Sequence, residues 1–303
     1  MARAHRAVYE GDVTLLPLGA VASAPPHIPI LHAIVLGITQ GLSEFLPISS
    51  SGHLLIVPWL FRWHELTDHP DLNKTFDVAL HMGTFVGAAV YFLGDLKNLA
   101  IGGLRSIRKR AITDDTERLA WLLLLSAIPG ALLGALFEGP IEDHLGKIGL
   151  VATMLIAFGI VLAIADRAKG EREVKEFRVR DAVVMGAAQA IALQPGVSRS
   201  GVTITAGRWL GFDRDSAARI SFLMSLPIIG GAGLYKGVKL LGTGLAPGTG
   251  AAFAWGTLAS AITGFGAVWL VLTYVRRHSF MPFVVYRVLV GAALLVTLAA
   301  HWR

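Results

Sequence analysis

Apolar residues run in six long stretches, 76–93, 119–137, 148–165, 220–234, 251–275 and 280–300, each with few or no charges. A helix needs about 20 mainly apolar residues to cross a hydrocarbon layer roughly 30 Å thick, fewer where the layer thins, so each stretch predicts one transmembrane helix. Two further apolar stretches, 28–61 and 181–211, are broken in the middle by proline, glycine and clustered hydroxyls. In lipid such a break leaves main-chain groups unpaired. The pattern therefore predicts an all-α integral membrane fold: six transmembrane helices plus two re-entrant broken-helix segments.

The connections differ in charge. Residues 166–180 hold six Lys or Arg and 97–110 hold five, whereas 138–147 hold one Lys and three acids. The positive-inside rule puts both basic loops in the cytoplasm, and 62–74 with both chain ends outside. Parity agrees, because Arg180 and Arg276-Arg277 share a side only if 181–211 makes no net crossing.

The two broken stretches superimpose with a constant offset of 149 residues. Gly37, Gln40, Ser49, Ser51 and Gly52 fall on Gly186, Gln189, Ser198, Ser200 and Gly201, while Pro47 and Pro195 miss by one. Identities at the points where the apolar runs break mark an internal repeat. Each repeat holds one re-entrant segment and three spans, an odd number, so the halves are inserted with inverted topology and their loops meet inside. The first repeat is 28–165, the basic cytoplasmic loop 166–180 and the second repeat 181–303. Residues 1–27 read as a poorly ordered, uncleaved leader: Arg3 and Arg6 precede an apolar run ending at Ala22-Ser23-Ala24, but Glu10 and Asp12 interrupt it and Pro25-Pro26 follow.

Composition narrows the function. A hydrophobic fraction of 54%, a mean hydropathy of +0.60 and 16% charged residues leave too little polar surface for a soluble globule of 303 residues. The net charge of +6 falls mostly in the connections, where orientation in a bilayer explains it and nucleic-acid binding is not implied. Thirty-four glycines among apolar runs serve close helix packing. The chain has no cysteine, so disulfides and thiol catalysis are excluded and any metal takes oxygen or imidazole ligands.

The chemistry gathers at the two breaks. The first reads Gln40-Gly-Leu-Ser-Glu44-Phe-Leu-Pro47-Ile-Ser49-Ser50-Ser51-Gly52-His53. Gln40 and Glu44 share a helix face, and Glu44 in an apolar run costs several kcal/mol unless paired. The second break, Gln194-Pro195-Gly196-Val197-Ser198-Arg199-Ser200-Gly201-Val202-Thr203, offers the cation in Arg199, whose planar fork suits a carboxylate or a phosphate. Ser and Gly residues opening a half-helix present main-chain N–H groups to an anion, so two such ends facing each other suit a diphosphate. Glu44 tolerates that anion through a hard divalent ion, Mg2+ or Ca2+, with Gln40 beside it. Ser50 or a neighbouring hydroxyl is the candidate nucleophile, with His53 moving the proton, or His53 itself attacks phosphorus.

Duller readings stand beside these. Serines at a bend often repair main-chain hydrogen bonds, His53 at an interface faces water, and Glu44 with Arg199 forms a structural ion pair. His32, His81, Asp77 and Arg287 also lie in or near spans; no partner is legible for them, and they read as structural.

Gln40-xxx-Glu44 followed by Phe45-Leu-Pro-Ile-Ser-Ser-Ser-Gly-His53, with Pro195-Gly-Val-Ser-Arg199-Ser-Gly201 later, resembles the undecaprenyl-diphosphate phosphatase family, also called bacitracin resistance protein. The resemblance runs from about Ile28 to the C-terminus. It implies hydrolysis of undecaprenyl diphosphate to undecaprenyl phosphate and inorganic phosphate, with a divalent metal, in the bacterial cytoplasmic (inner) membrane, recycling the cell-wall carrier lipid. The family's acidic pair maps onto Gln40 and Glu44, its serine and histidine onto Ser50 and His53, and its arginine loop onto Ser198, Arg199 and Ser200. With Ser49, Ser51, Gly52, Gly201 and Thr203 these complete the expected site, whose partners are the polyprenyl diphosphate and the bilayer, with a homo-oligomer left open. The family often has Glu at the first acidic position, so Gln40 removes one metal ligand. Architecture alone admits a rival, a transporter or flippase for an anionic polyprenyl lipid, since inverted repeats with broken helices also serve alternating access.

Overall fold

Where no water is present, every main-chain N–H and C=O must be paired within the protein, and a helix does this locally. The computed structural model describes residues 27–302, and side chains for all of these except 67, 137–144 and 238–243. Its elements are helical, and no strand ladder occurs among the described residues. The predicted leader lies almost wholly outside them. In chain order they are α1 (Ile30–Phe45), α2 (Ser50–Phe61), α3 (His64–Thr67), α4 (Pro70–Tyr91), α5 (Leu93–Lys109), α6 (Asp115–Leu145), α7 (Ile148–Asp166), α8 (Val179–Ile191), α9 (Arg199–Trp209), α10 (Arg214–Thr243), α11 (Gly250–Val275) and α12 (Met281–Ala299).

Helices α6, α7, α10, α11 and α12 are each long and apolar enough to cross a membrane, and α4 joins them when taken with α5 across an 84° bend. Five of the six predicted stretches thus lie, to within a residue at their ends, in such helices, and the sixth, 76–93, lies in α4 and runs across Phe92 into the first residue of α5. Helices α6 and α10 outrun their apolar stretches at both ends, because hydropathy marks what lipid covers and not where hydrogen bonding stops.

Of residues 97–110, expected as a loop, all but the C-cap Arg110 instead lie in α5. Its Leu93, Ile101, Leu104 and Ile107 are exposed, while Arg105, Arg108 and Lys109 supply the charge. An apolar stripe with flanking cations suits a helix lying along the membrane surface, and the density of charge hid its period.

Both broken segments double back. Arg172 donates to Asp181 Oδ2 in the first turn of α8 at 2.6 Å and to the carbonyl of Leu210, the C-cap of α9, at 2.7 Å. The start of α8 and the end of α9 therefore sit together. In the first segment His32, near the start of α1, pairs with Glu65 and stacks on Trp63 just past the end of α2, with ring centroids 3.8 Å apart.

Arg118 to the Lys175 carbonyl, Arg219 to Asp95, Arg214 to Asp166 and Arg276 to Asp215 gather the basic connections around the open end of α8–α9. Asp68, His69, Leu72, Thr75, Ala246 and Phe253 are among the residues lining a cavity of about 400 Å³ next to the connection that follows α2.

Helix pairing obeys an exchange of halves. α1 packs on α11 as α8 packs on α6, α4 on α11 as α10 on α6, and α4 meets α10 as α7 meets α12. Close approach explains the repeated glycine: a Cβ at Gly37 would fall on the Gly256 carbonyl oxygen, and one at the equivalent Gly186 would lie 2.6 Å from that of Ser126.

Candidate active site

Each break is rebuilt on the same backbone plan. α2 starts after Ser49 and α9 after Ser198, and both serines sit in the left-handed region, at φ 80° and φ 76°. That conformation costs a non-glycine residue on the order of 1–3 kcal/mol, so its recurrence 149 residues apart marks a constraint and not an accident. Both are N-caps. Ser49 Oγ accepts from Gly52 N at 3.3 Å, and Ser198 Oγ accepts from Gly201 N at 3.1 Å.

The breaks are also joined to each other. Ser49 Oγ accepts a second N–H, from Gly196 in the other segment, at 3.0 Å, while Ser200 Oγ donates to the Leu46 carbonyl at 3.1 Å. The N-termini of α2 and α9 are thereby held together where the two hairpins meet.

Glu44, in the last turn of α1, is the centre of the cluster and is buried. Arg199, the first residue of α9, donates to its Oε1 at 2.6 Å. Its Oε2 accepts from Ser50 Oγ at 2.7 Å and from Gln40 Nε2 at 2.9 Å, and His81 Nε2 of α4 lies 3.5 Å from the same oxygen. The carboxylate is thus matched by one guanidinium and two neutral donors.

His53 stands apart from that carboxylate. Its Nδ1–H donates to the Ser49 carbonyl at 2.7 Å, which leaves Nε2 to accept from the Tyr286 hydroxyl at 2.8 Å. Ser50 therefore offers its proton to Glu44, not to His53. Ser51 lies partly exposed in the first turn of α2, and Thr203 turns inward to Ser221 Oγ at 2.6 Å and to the Arg199 carbonyl at 2.7 Å.

Three residues read from sequence as lacking a partner have one: His32 has Glu65, His81 faces Glu44, and Arg287 has five. Fully buried, Arg287 donates to the carbonyls of Pro47, Gly196, Val197, Leu155 and Met154, at 2.9–3.4 Å. Pro47 lies just past α1, and Gly196 and Val197 lie past α8, where carbonyls have lost their helical partners. A guanidinium with five donors in a fixed fork satisfies them and ties both breaks to α7. No side-chain pattern announces such a bond, because the acceptors are main chain.

A hard divalent ion would require oxygen donors. Glu44 supplies a carboxylate, and Gln40 Oε1, on an amide that is 0% exposed, has no hydrogen-bond partner. No three His, Asp or Glu side chains converge among the described residues. Glu44 and Gln40 are thus the two residues that would hold such an ion.

The family model described as "Bacitracin resistance protein BacA" matches residues 33–293. Among curated relatives, a protein of Pelobacter propionicus is 46% identical over 266 residues, which is 87% of this chain and 95% of that one. One from Geobacter sulfurreducens is 45% identical over 274 residues, 90% and 99% of the two chains. One from Hahella chejuensis is 42% identical over 268 residues, 88% and 98%. All three carry the name undecaprenyl-diphosphatase.

Proposed function

Since the chain belongs to the bacitracin resistance protein BacA family, we propose that it hydrolyses undecaprenyl diphosphate to undecaprenyl phosphate and inorganic phosphate in a bacterial cytoplasmic membrane, recycling the cell-wall carrier lipid. The observation that carries the chemistry is the Ser50 hydroxyl donating to the buried Glu44 carboxylate beside the Arg199 guanidinium.

In this reading the diphosphate lies between the N-termini of α2 and α9, with Arg199 turned from Glu44 onto the phosphates. Ser50 Oγ bonds to the terminal phosphorus as the bond from that phosphorus to the bridging oxygen breaks. Its proton passes to Glu44, and undecaprenyl phosphate leaves. Water then attacks the phosphoserine, giving its proton to the Tyr286 hydroxyl as that hydroxyl passes its own to His53 Nε2, and the serine oxygen recovers its own proton from Glu44 as phosphate departs. The Tyr286 hydroxyl on His53 Nε2 favours Ser50 over His53 as the nucleophile.

Mg2+ or Ca2+, held by Glu44 and Gln40 and completed by the phosphates, would neutralise charge on the transferring group. The Ser50–Glu44 bond has no task in a site that only binds an anion, which weighs against the transporter reading.

Phosphate release from farnesyl diphosphate by detergent-purified protein, with and without chelator, tests the proposal. Release with metal and none in chelator is expected. Binding without release would overturn the hydrolytic reading, and release indifferent to chelator would overturn the metal's part in it.

A further inference from the structure

The ends of α7 and α11 and the turn between α9 and α10 enclose a second cavity, of about 610 Å³, which the proposed reaction does not use. It lies among the basic connections, on the side predicted to face the cytoplasm. Three of its acids are already engaged. Asp166 accepts from Arg214 Nε at 2.6 Å and from Phe280 N at 3.0 Å, Asp215 pairs with Arg276 at 3.2 Å, and Asp213 caps α10 by accepting from Ser216 N at 2.7 Å.

The remaining cations outnumber the remaining acid. Arg167 and Lys169 are exposed and form no ion pair among the described residues, and Glu171 is the other acid in the lining. Arg208, whose side chain is only 4% exposed, donates to the carbonyls of Phe212 and Ala168, while its Nε has no hydrogen-bond partner. Its nearest acid, Asp166, stands 3.9 Å away and already serves Arg214. Three cations thus face one free carboxylate, and the cavity has room for an anion.

The segment that carries Arg167 and Lys169 is held in place. Glu171 N and Arg172 N both donate to the Gly211 carbonyl, at 3.1 and 3.0 Å, and Asp213 N donates to the Arg172 carbonyl at 3.0 Å. A Cβ at Gly170 would lie 2.3 Å from the Phe212 carbonyl oxygen, so this segment is pressed onto the α9–α10 turn. Its charges are therefore ordered before a ligand arrives, which lowers the entropy lost on binding.

Position and surroundings favour a lipid over a free anion. Arg167 and Arg276 are the C-caps of α7 and α11, two helices long and apolar enough to cross a membrane, so they stand at the depth of lipid phosphates. Ile164 and Ile160, three and seven positions before Arg167, are exposed on the same face of α7 and offer an apolar strip for an acyl chain. The negative ends of the α7 and α11 dipoles oppose an anion here, so the side-chain cations must carry the binding.

We infer that this cavity binds the headgroup of an anionic phospholipid from the cytoplasmic leaflet, with Arg167 and Lys169 on its phosphate, Arg208 beneath them and one acyl chain along Ile164 and Ile160. The site is separate from Glu44 and Ser50 and does not depend on the hydrolytic reading.

The test is native mass spectrometry of the full-length protein, freed of lipid in a neutral detergent and titrated with phosphatidylglycerol. The parent should hold one phosphatidylglycerol more tightly than any further ones. Arg167→Gln with Lys169→Gln should raise the concentration for half-occupancy by that first lipid about thirtyfold, about fivefold per cation. Arg108→Gln with Arg110→Gln removes the same charge from the end of α5 and should change it less than about twofold, and phosphate release should stay at the parent rate in both variants. Phosphatidylcholine, which carries a phosphate but no net charge, should bind at least about tenfold more weakly, and inorganic phosphate at the lipid's concentration should not displace phosphatidylglycerol. Equal weakening in the two double variants would show that the lipid responds to the charge of the whole face and not to this cavity. Equal binding of phosphatidylcholine, displacement by inorganic phosphate, or the absence of a tight first lipid would likewise overturn the inference.

Discussion

The two breaks share a backbone and divide the chemistry. Ser49 and Ser198 hold the same strained conformation and cap the same turn, and Gln40 and Gln189 are both buried with an unpartnered Oε1. At the remaining equivalent positions the copies part: Glu44 matches Leu193, Ser50 matches Arg199 and His53 matches Val202. The first break carries the acid, hydroxyl and imidazole, and the second carries the cation. In the proposed reading the two matched backbones supply two helix N-termini for one anion, and the few side chains that differ make one the reactive side and the other the clamp.

The largest effect should come from neutralising the acid. Glu44→Gln keeps the size but loses the charge and the proton acceptor, and phosphate release should fall on the order of 10³-fold at every metal concentration. Leu193→Met, at the matching position of the other copy, should stay within about threefold of the parent. Comparable losses from both would show that the halves are not divided as described.

Next comes the clamp. Arg199→Lys keeps the charge but not two parallel donors, and should lower kcat/KM about 10²-fold. Near-parent kinetics would reduce Arg199 to a source of charge.

Arg287 serves both copies at once, so its removal should damage both. Arg287→Met leaves up to five carbonyls without their partner and should cost about 3 kcal/mol or more of stability, read as a fall in the Tm of the detergent-solubilised protein. Hydrogen exchange should rise in both α2 and α9. Exchange rising in one alone would break the symmetry claimed for the staple.

The smallest effects concern the caps. Ser49→Gly and Ser198→Gly lose a cap but relieve a left-handed serine, so Ser198→Gly should cost only a few tenths of a kcal/mol and Ser49→Gly more, since it also releases Gly196 N. The corresponding alanine variants keep the strain and should cost about 1 kcal/mol, more at Ser49, whose oxygen also holds Gly196 N. Equal Tm shifts for the two alanines would contradict that cross-link.

Much of this was legible in the sequence because lipid makes rigid demands. Six apolar runs had to be helices, and proline with glycine inside two others had to be breaks. Glu44 and Arg199 were legible as expensive charges in apolar surroundings, each in need of the other. Residues 97–110 were misread as a loop, since dense charge hides an interfacial stripe. The Tyr286 hydroxyl on His53 spans 233 positions, and the approach of His81 to Glu44 depends on how α4 packs, so neither leaves a local pattern. Arg287 bonds only main-chain carbonyls, which every residue carries.

The division of labour is tested most directly by measuring substrate binding and phosphate release side by side in Ser50→Ala and Arg199→Ala. Ser50→Ala should bind a polyprenyl diphosphate as the parent does and release almost no phosphate, a loss confined to kcat. Arg199→Ala should bind weakly, with a raised KM and a lowered kcat/KM. Undiminished kcat in Ser50→Ala, or parent-like binding in Arg199→Ala, would contradict the account.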